Sequence, residues 1–372
     1  MRYKLEVKIS MREKITAYQL LVIMILTPYP TAALFYLAPE TKRDIWIALI
    51  FYAGVSIIIQ SIYISMFKKY PNDTIVTYLP KVYGKFLGYF LSALYIIYFI
   101  YLASRNLRDF TELILVFSLQ NFPMIFVAGF LMITITYSVY KGIENLSSLA
   151  QAIIIILLIG KILAIFLLKM TDGVFQVNRF LPILMDGFKP ILTKGWSLIF
   201  FPYGEFIVST MFYTFVIERT RVRKTVYFAV LFEAVLLIIN NLIFLCALGY
   251  HFASSVNYPL LETYRLIHIG EFLSRLEILL LILMIFDGFV KLCIFMYAGV
   301  LGIYQLNKNK HWGLNCLIVG IIITISSILI AQNYPEHVKI GLDYTIKYIH
   351  IPMQVGIPLL TLIVFYIKKY VK

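Results

Sequence analysis

The sequence predicts an all-α membrane protein of about ten transmembrane helices, a 5+5 inverted-repeat, transporter-like fold with broken helices 1 and 6. Three observations carry that prediction. Of the 372 residues, 61% are hydrophobic and only 14% charged, whereas a soluble domain carries roughly 25% charged residues. The apolar residues fall in runs of about 20, which span a ~30 Å hydrocarbon core at 1.5 Å per helical residue, and the short alternating segments of a β-barrel are not seen. Two runs are interrupted at matching places, by Thr27-Pro28-Tyr29-Pro30-Thr31 and by Phe201-Pro202-Tyr203-Gly204-Glu205.

The elements follow in order. The first run, 17–37, comes after a basic flank ending Met11-Arg12-Glu13-Lys14, which makes Met11 a second candidate start. It is too long for a signal-peptide core and no small-residue cleavage site follows, so it reads as an uncleaved span. The second, 45–67, stops at Lys68-Lys69, and the third, 86–105, starts after Lys85 and runs into Arg105 and Arg108. The fourth, 123–140, opens on a proline and closes at Lys141; the fifth, 147–168, carries Lys161 inside it. The sixth, 196–217, holds the second interruption and ends before Arg219-Thr220-Arg221. The seventh, 225–250, and the eighth, 275–304, carry Glu233, Asn240, Asn241, Asp287 and Lys291. The eighth is long enough to tilt or bend. The ninth, 313–332, and the tenth, 349–367, complete the set, the last stopped by Lys368-Lys369. The halves 17–168 and 196–367 form one integral membrane domain over 1–372. Because each half has an odd number of spans, the two insert with opposite orientation. Proline- or glycine-broken spans at matching positions of two halves mark the binding region of such folds.

Charge sets the orientation. Most basic residues fall on one side: Arg2, Lys4, Lys8, Arg12, Lys14, Lys68, Lys69, Lys81, Lys85, Lys141, 219–224, Lys308, Lys310, Lys368, Lys369 and Lys372. That side is expected to be cytoplasmic, with both termini inside and the long 169–195 and 251–274 loops outside. The net charge of +14 is therefore a topology and lipid-headgroup signal, and no nucleic-acid-binding motif accompanies it. Cys246, Cys293 and Cys316 sit inside apolar runs and read as packing residues. The scattered histidines lack ligand spacing, and phosphate loops, His-Glu-x-x-His and Gly-x-Ser-x-Gly are missing, so neither metal, cofactor nor enzyme activity is expected.

Charge inside the bilayer is a functional candidate by default. Glu205, in the second interruption, suits a ligand ammonium, a proton or freed amides; its structural alternative is capping of the following half-helix. Lys161 either snorkels to the outer interface or turns inward as an ammonium between helices. Asp287 and Lys291 are four apart on one face and suit mutual neutralisation or ion and proton coupling. Interhelical hydrogen bonds account for Glu233, Asn240 and Asn241. Tyr98, Tyr101, Arg105 and Arg108 share a stripe with i,i+4 pairs Arg105–Asp109 and Arg108–Glu112, read as a tyrosine belt running into a solvated end.

A series of short stretches runs along the chain: Ile15-Thr16-Ala17-Tyr18-Gln19, Asp44-Ile45-Trp46, Gly84-Lys85-Phe86-Leu87-Gly88, Leu107-Arg108-Asp109-Phe110-Thr111-Glu112 and Tyr140-Lys141-Gly142-Ile143-Glu144. Leu181-Pro182-Ile183-Leu184, Phe201-Pro202-Tyr203-Gly204-Glu205, Tyr258-Pro259 and the 271–277 stretch continue it. In their order and spacing these stretches resemble the B-subunit family of bacterial spore germinant receptors, the spore germination permeases of the amino acid–polyamine–organocation superfamily, while Ser147 departs from that pattern. The resemblance implies a ligand held between the breaks at Thr27, Pro28, Tyr29, Pro30, Thr31 and Phe201, Pro202, Tyr203, Gly204, Glu205. Spans three and eight would flank it, which brings in Tyr98. It also suggests a coupling role for Lys161, since some proton-coupled relatives carry a lysine on helix 5 where sodium-coupled ones bind sodium. The expected function is nutrient sensing: an amino acid-like small molecule binds and triggers germination in concert with A- and C-type receptor subunits, in the bacterial cell membrane or spore inner membrane. Two alternatives share the fold, a proton-coupled amino acid permease and a structural assembly subunit with a vestigial site.

Overall fold

Inside a bilayer no water is available to backbone N–H and C=O groups, so each apolar run must satisfy them internally by becoming helical. The computed structural model describes residues 13–119, 121–268, 276–307 and 311–371. Arg2, Lys4, Lys8, Arg12, Lys308, Lys310 and Lys372 of the basic count, and residues 271–275 of the family-like stretch, lie outside the described residues.

Among the described residues seven helices are long and apolar enough to cross a membrane: Pro39–Lys69, Lys85–Phe117, Ile143–Met170, Arg219–Leu248, Leu281–Leu306, Trp312–Leu329 and Tyr334–Lys369. Two shorter apolar helices, Ala17–Ala32 and Met124–Tyr140, take the first and fourth places. A chain of short 3₁₀ turns, Gly195–Ile199, Tyr203–Met211 and Tyr213–Phe215, takes the sixth. The segments keep the expected order. Ile15 bonds Phe215 and Ile217, Arg219 bonds Asn72, and Lys368 bonds the Val82 carbonyl, which groups the described ends on one side, the terminus side. Lys42 with Asp186, Asp44 with Leu184 and Gln176 with Cys246 mark the opposite, loop side, where the 171–195 and 249–268 connections lie.

Two boundaries and one helix type differ from the sequence reading. The third span continues to Phe117 because its charges are satisfied inside the bundle. Arg108 pairs with Glu112 at 2.7 Å and donates to the carbonyls of Ile328 (3.3 Å) and Ala331 (3.4 Å), which closes the end of the ninth span. This is no solvated end, since Arg108 and Asp109 are both buried. The tenth span starts earlier, as a π-helix over Ile340–Gly356 followed by α-helix over Ile357–Val371. The sixth span is 3₁₀ rather than α.

Position in the bundle sorts the spans. The apolar window of Leu281–Leu306 is 72% buried, that of Tyr334–Lys369 only 28%. Every residue of Tyr203–Met211 is buried, and so is the first span from Val22 through Leu34. The first, sixth and eighth spans thus form the core, while residues such as Phe130, Ile162 and Leu329 are exposed apolar surface suited to lipid. The three cysteines are buried and free.

Candidate functional site

Both interruptions are consequences of proline. Pro28 and Pro30 lack N–H groups, so the carbonyls of Met24 and Leu26 lose their helical donors. Helix Ala17–Ile25 ends there, and a single turn, Tyr29–Ala32, follows. Locally, the Thr27 amide turns back to the Met24 carbonyl (3.3 Å) and its hydroxyl donates to the Ile23 carbonyl (2.7 Å). In the sixth span Pro202 removes another donor, and the chain takes tighter i→i+3 bonds, Glu205 N–H to Pro202 C=O at 3.1 Å among them. Runs of 3₁₀ beyond three or four residues are uncommon. This one is supported by the hydroxyls of Ser209 and Thr210, which each donate to a carbonyl three residues back at 2.6 Å.

The prolines also limit what the breaks can bind. A half-helix start usually offers a row of free amides to an anion. Here Pro28, Pro30 and Pro202 leave gaps in that row.

Glu205 and Lys291 meet between the two breaks. Lys291 Nζ lies 2.7 Å from Glu205 Oε2 and also donates to the Thr31 hydroxyl. Lys291 is 0% and Glu205 3% exposed, so the pair is desolvated. Lys291 therefore ties the first break to the second. Its sequence neighbour Asp287 is not its partner, contrary to the mutual neutralisation open from the i,i+4 spacing. The long lysine reaches the carboxylate in the break, and Asp287 faces a different cavity.

Gly204 is required by the tenth span. A Cβ there would lie 1.8 Å from Gln354 Oε1. Gln354 donates in turn to the Tyr98 hydroxyl (2.8 Å), which also bonds His350 Nδ1 (2.7 Å). Pro358 supplies no N–H to the carbonyls just before it, and tyrosines from other spans replace it. Tyr95 donates to the Met353 carbonyl at 2.6 Å and Tyr63 to that of Gln354. The wide π segment thus places His350 and Gln354 against the third and sixth spans, as π segments often do at functional sites. Tyr203, by contrast, donates its hydroxyl to the Leu49 carbonyl (3.0 Å) and acts as a brace to the second span.

A cavity of about 50 Å³ lies between these elements, lined by Thr31, Phe201, Glu205, Arg105, Asp109 and His350 among others. That is room for a few waters or a very small solute. On the loop side a recess of about 510 Å³ shares Phe35, Phe201, Val338 and Leu342 with it. On the terminus side a recess of about 500 Å³ has no lining residue in common with it. The site therefore lies next to the loop-side recess, behind the shared wall of Phe35, Phe201, Val338 and Leu342.

The terminus side is held by a strap. Ile15 forms a parallel bridge with Val216, with Ile15 N–H to Phe215 C=O and Ile217 N–H to Ile15 C=O, both 3.0 Å. Glu13 Oε2 accepts from Tyr297 Oη (2.7 Å) and the Ile143 amide (3.1 Å), and Glu218 accepts from the Ala17 amide (2.9 Å). Burial holds the Glu13 carboxyl above its ordinary pKa, and the bonds from Tyr297 and Ile143 oppose that only in part.

A second cavity, about 40 Å³, lies against Tyr29 and Pro30 with Lys161, Tyr264, Met284 and Asp287 in its lining. Lys161 turns inward rather than snorkelling: its Nζ donates to Asn240 Oδ1 at 2.9 Å and sits 5.0 Å above the Tyr29 ring. Asn240 passes the link to the Ala33 carbonyl (3.0 Å), just past the first break. Glu233 departs from the expected interhelical bonding, since neither of its buried carboxyl oxygens has a hydrogen-bond partner among the described residues.

The sequence reading missed Arg105, His350 and Gln354 as site residues. Arg105 was visible on the Tyr98 stripe, but its expected pairing with Asp109 drew it away from the site. Asp109 bonds His337 Nε2 (3.0 Å) instead, and Arg105 Nη2 donates to the His337 carbonyl (2.9 Å). His350 and Gln354 lie on a π segment whose polar pattern does not follow a 3.6-residue period, which hid them.

The architecture matches that of a solved structure. The crystal structure of MhsT in complex with L-phenylalanine superposes with a TM-score of 0.66 over 95% of this chain and 88% of that one, at 11% identity. That likeness gives the fold. Among curated proteins, spore germination protein KB of Bacillus subtilis (strain 168) is 31% identical over 96% of each chain. Spore germination protein YndE of the same strain is 25% identical over 95% of this chain and 97% of its own. Residues 14–335 match the spore permease family of spore germination proteins. With ten apolar segments, broken spans one and six, and relatives aligned nearly end to end, this integral membrane protein belongs to the spore germination protein family.

Proposed function

We propose that this chain is the nutrient-sensing membrane subunit of a spore germinant receptor, in which an amino acid-like solute binds between the two breaks and triggers germination. The observation that carries the reading is the buried Lys291 bridge, which joins Thr31 of the first break to Glu205 of the second. A ligand that enters from the loop side and engages either end of this bridge changes how the two halves are tied. The terminus-side strap then keeps the site shut on its far face, as a sensor requires. A ligand acts only through its differential affinity for two states; a shift from 1:99 to 99:1 needs about 5.5 kcal/mol. In this reading the loop side is the outer face of the spore inner membrane, both termini are cytoplasmic, and A- and C-type subunits carry the response onward.

One observation favours a second reading, a proton-coupled permease. The second cavity places Lys161 and Asp287 against the first break, where a proton gained or lost would act on the same hinge. The experiment that tests the proposal is ligand-induced stabilisation of the purified chain by a panel of small amino acids, repeated with Glu205→Gln and Thr31→Val. The expected result is a saturable rise in Tm for at least one of them, abolished by Glu205→Gln. Stabilisation equal in both variants would move the ligand away from the breaks.

A further inference from the structure

We infer that Arg105 is the anchor for the ligand's carboxylate, which makes the preferred ligand a small zwitterionic amino acid that shares the cavity with Arg105 and Asp109. This rests on the reading of the breaks as the ligand site and adds the residue that sets its specificity.

Amide donors are missing at the breaks. A carboxylate needs donors, and Pro28, Pro30 and Pro202 remove amides from both interruptions. Lys291 is committed to Glu205 and Thr31. Arg108 is committed to Glu112 and the end of the ninth span. Arg105 differs from both. It lines the first cavity, its Nη2 is held by the His337 carbonyl at 2.9 Å, and its Nη1 is buried with no hydrogen-bond partner among the described residues. A buried guanidinium N–H left unpaired is costly, and a carboxylate is the partner its planar fork fits best.

Charge balance gives the ligand class. The cavity is lined by Arg105, Asp109 and Glu205, and Glu205 is neutralised by Lys291. Arg105 and Asp109 then offer one positive and one negative group, with Asp109 also bonded to His337. A zwitterion adds no net charge to this set, whereas a free carboxylic acid or an amine leaves one charge unmatched in a desolvated space. The volume of about 50 Å³ restricts the side chain to a small one.

The test is stabilisation of the full-length purified chain by glycine, L-alanine, L-serine and L-alaninamide. Wild type is expected to respond to at least one of the three acids and at least about tenfold less to the amide, the loss that fits one charge-assisted contact. Arg105→Met is expected to weaken the acid response by at least about tenfold, and Arg105→Lys to recover part of it. Should Arg105→Met fold poorly, Gly341→Ala serves as a second variant. Its Cβ would lie 2.0 Å from Arg105 Nη2 and displace the guanidinium without removing it, so a severalfold loss is expected. Undiminished acid binding in Arg105→Met, or in Gly341→Ala where that variant is used, overturns the anchor alone, as does an amide response equal to that of the acid. No response of wild type to any of the three acids overturns both the anchor and the binding reading beneath it.

Discussion

The first break is flanked by two cavities of similar size that handle a buried lysine in opposite ways. On the Thr31 face, Lys291 is clamped by Glu205 at 2.7 Å. On the Tyr29 face, Lys161 bonds only a neutral amide, Asn240, at 2.9 Å, while Asp287 lines the same cavity without an ion pair among the described residues. The first arrangement is a fixed strut whose charges cancel. The second leaves a cation and a carboxyl facing one small space with their partnership open. In the proposed function the locked pair is where the ligand acts, and in the permease alternative the loose pair is where protonation acts.

The largest effect is expected at the strut. Glu205→Ala leaves Lys291 buried with a hydroxyl as its remaining partner, and removal of one member of a buried pair costs about 3–5 kcal/mol. The expected outcome is a large fall in Tm of the purified chain, with Glu205→Leu/Lys291→Met regaining most of it but not ligand binding. A Glu205→Ala variant as stable as wild type would mean that the strut is dispensable. Gly204→Leu is expected next: normal membrane insertion, because hydrophobicity hardly changes, with loss of saturable binding because Gln354 must move. An unaltered dose–response would take the sixth span out of the site.

The loose pair is predicted to respond more gently. Lys161→Met leaves the Asn240 carbonyl oxygen unpaired, a cost of about 1–3 kcal/mol, lowers activity, and is only partly rescued by Lys161→Arg. Full germination activity with Lys161→Met would make the second cavity a packing feature. The smallest effect is expected at the strap. The folded Glu13 carboxyl has a pKa above its ordinary 4.5, so its contribution is complete below that pH and is lost as pH rises through the raised value. Hydrogen exchange at Ile15 and Ile217, corrected for intrinsic rate, should quicken across that window in wild type and stay flat in Glu13→Gln. A flat profile in both would show that the strap does not titrate.

Much of this was legible in the residues. Span number and order follow from apolar run length, and the two breaks follow from prolines, whose missing N–H groups end the regular helical ladder. Lys161, Glu205, Asp287 and Lys291 stand out because charge in an apolar run is expensive. Pairing was not legible. The i,i+4 rule put Lys291 with Asp287 and Arg105 with Asp109, yet both cations reach other spans, since in a bundle core the neighbouring helix lies as near as the next turn. Nor were the 3₁₀ and π segments legible. Their periods differ from 3.6, so Gln354 and His350 fell outside any recognised stripe, and the third span runs on past Arg105, whose charge marks no boundary because it is half-buried against the His337 carbonyl.

A sensor holds a small amino acid between the breaks and does not pass it across. Binding and uptake measured in the same vesicles, with this chain alone reconstituted and a proton gradient imposed, separate that behaviour from transport. Saturable binding of a small amino acid, abolished by Glu205→Gln, is expected, with no accumulation beyond the bound amount. Gradient-driven accumulation by the wild-type chain would contradict the sensor reading and make the protein a permease whose loose pair is its proton circuit.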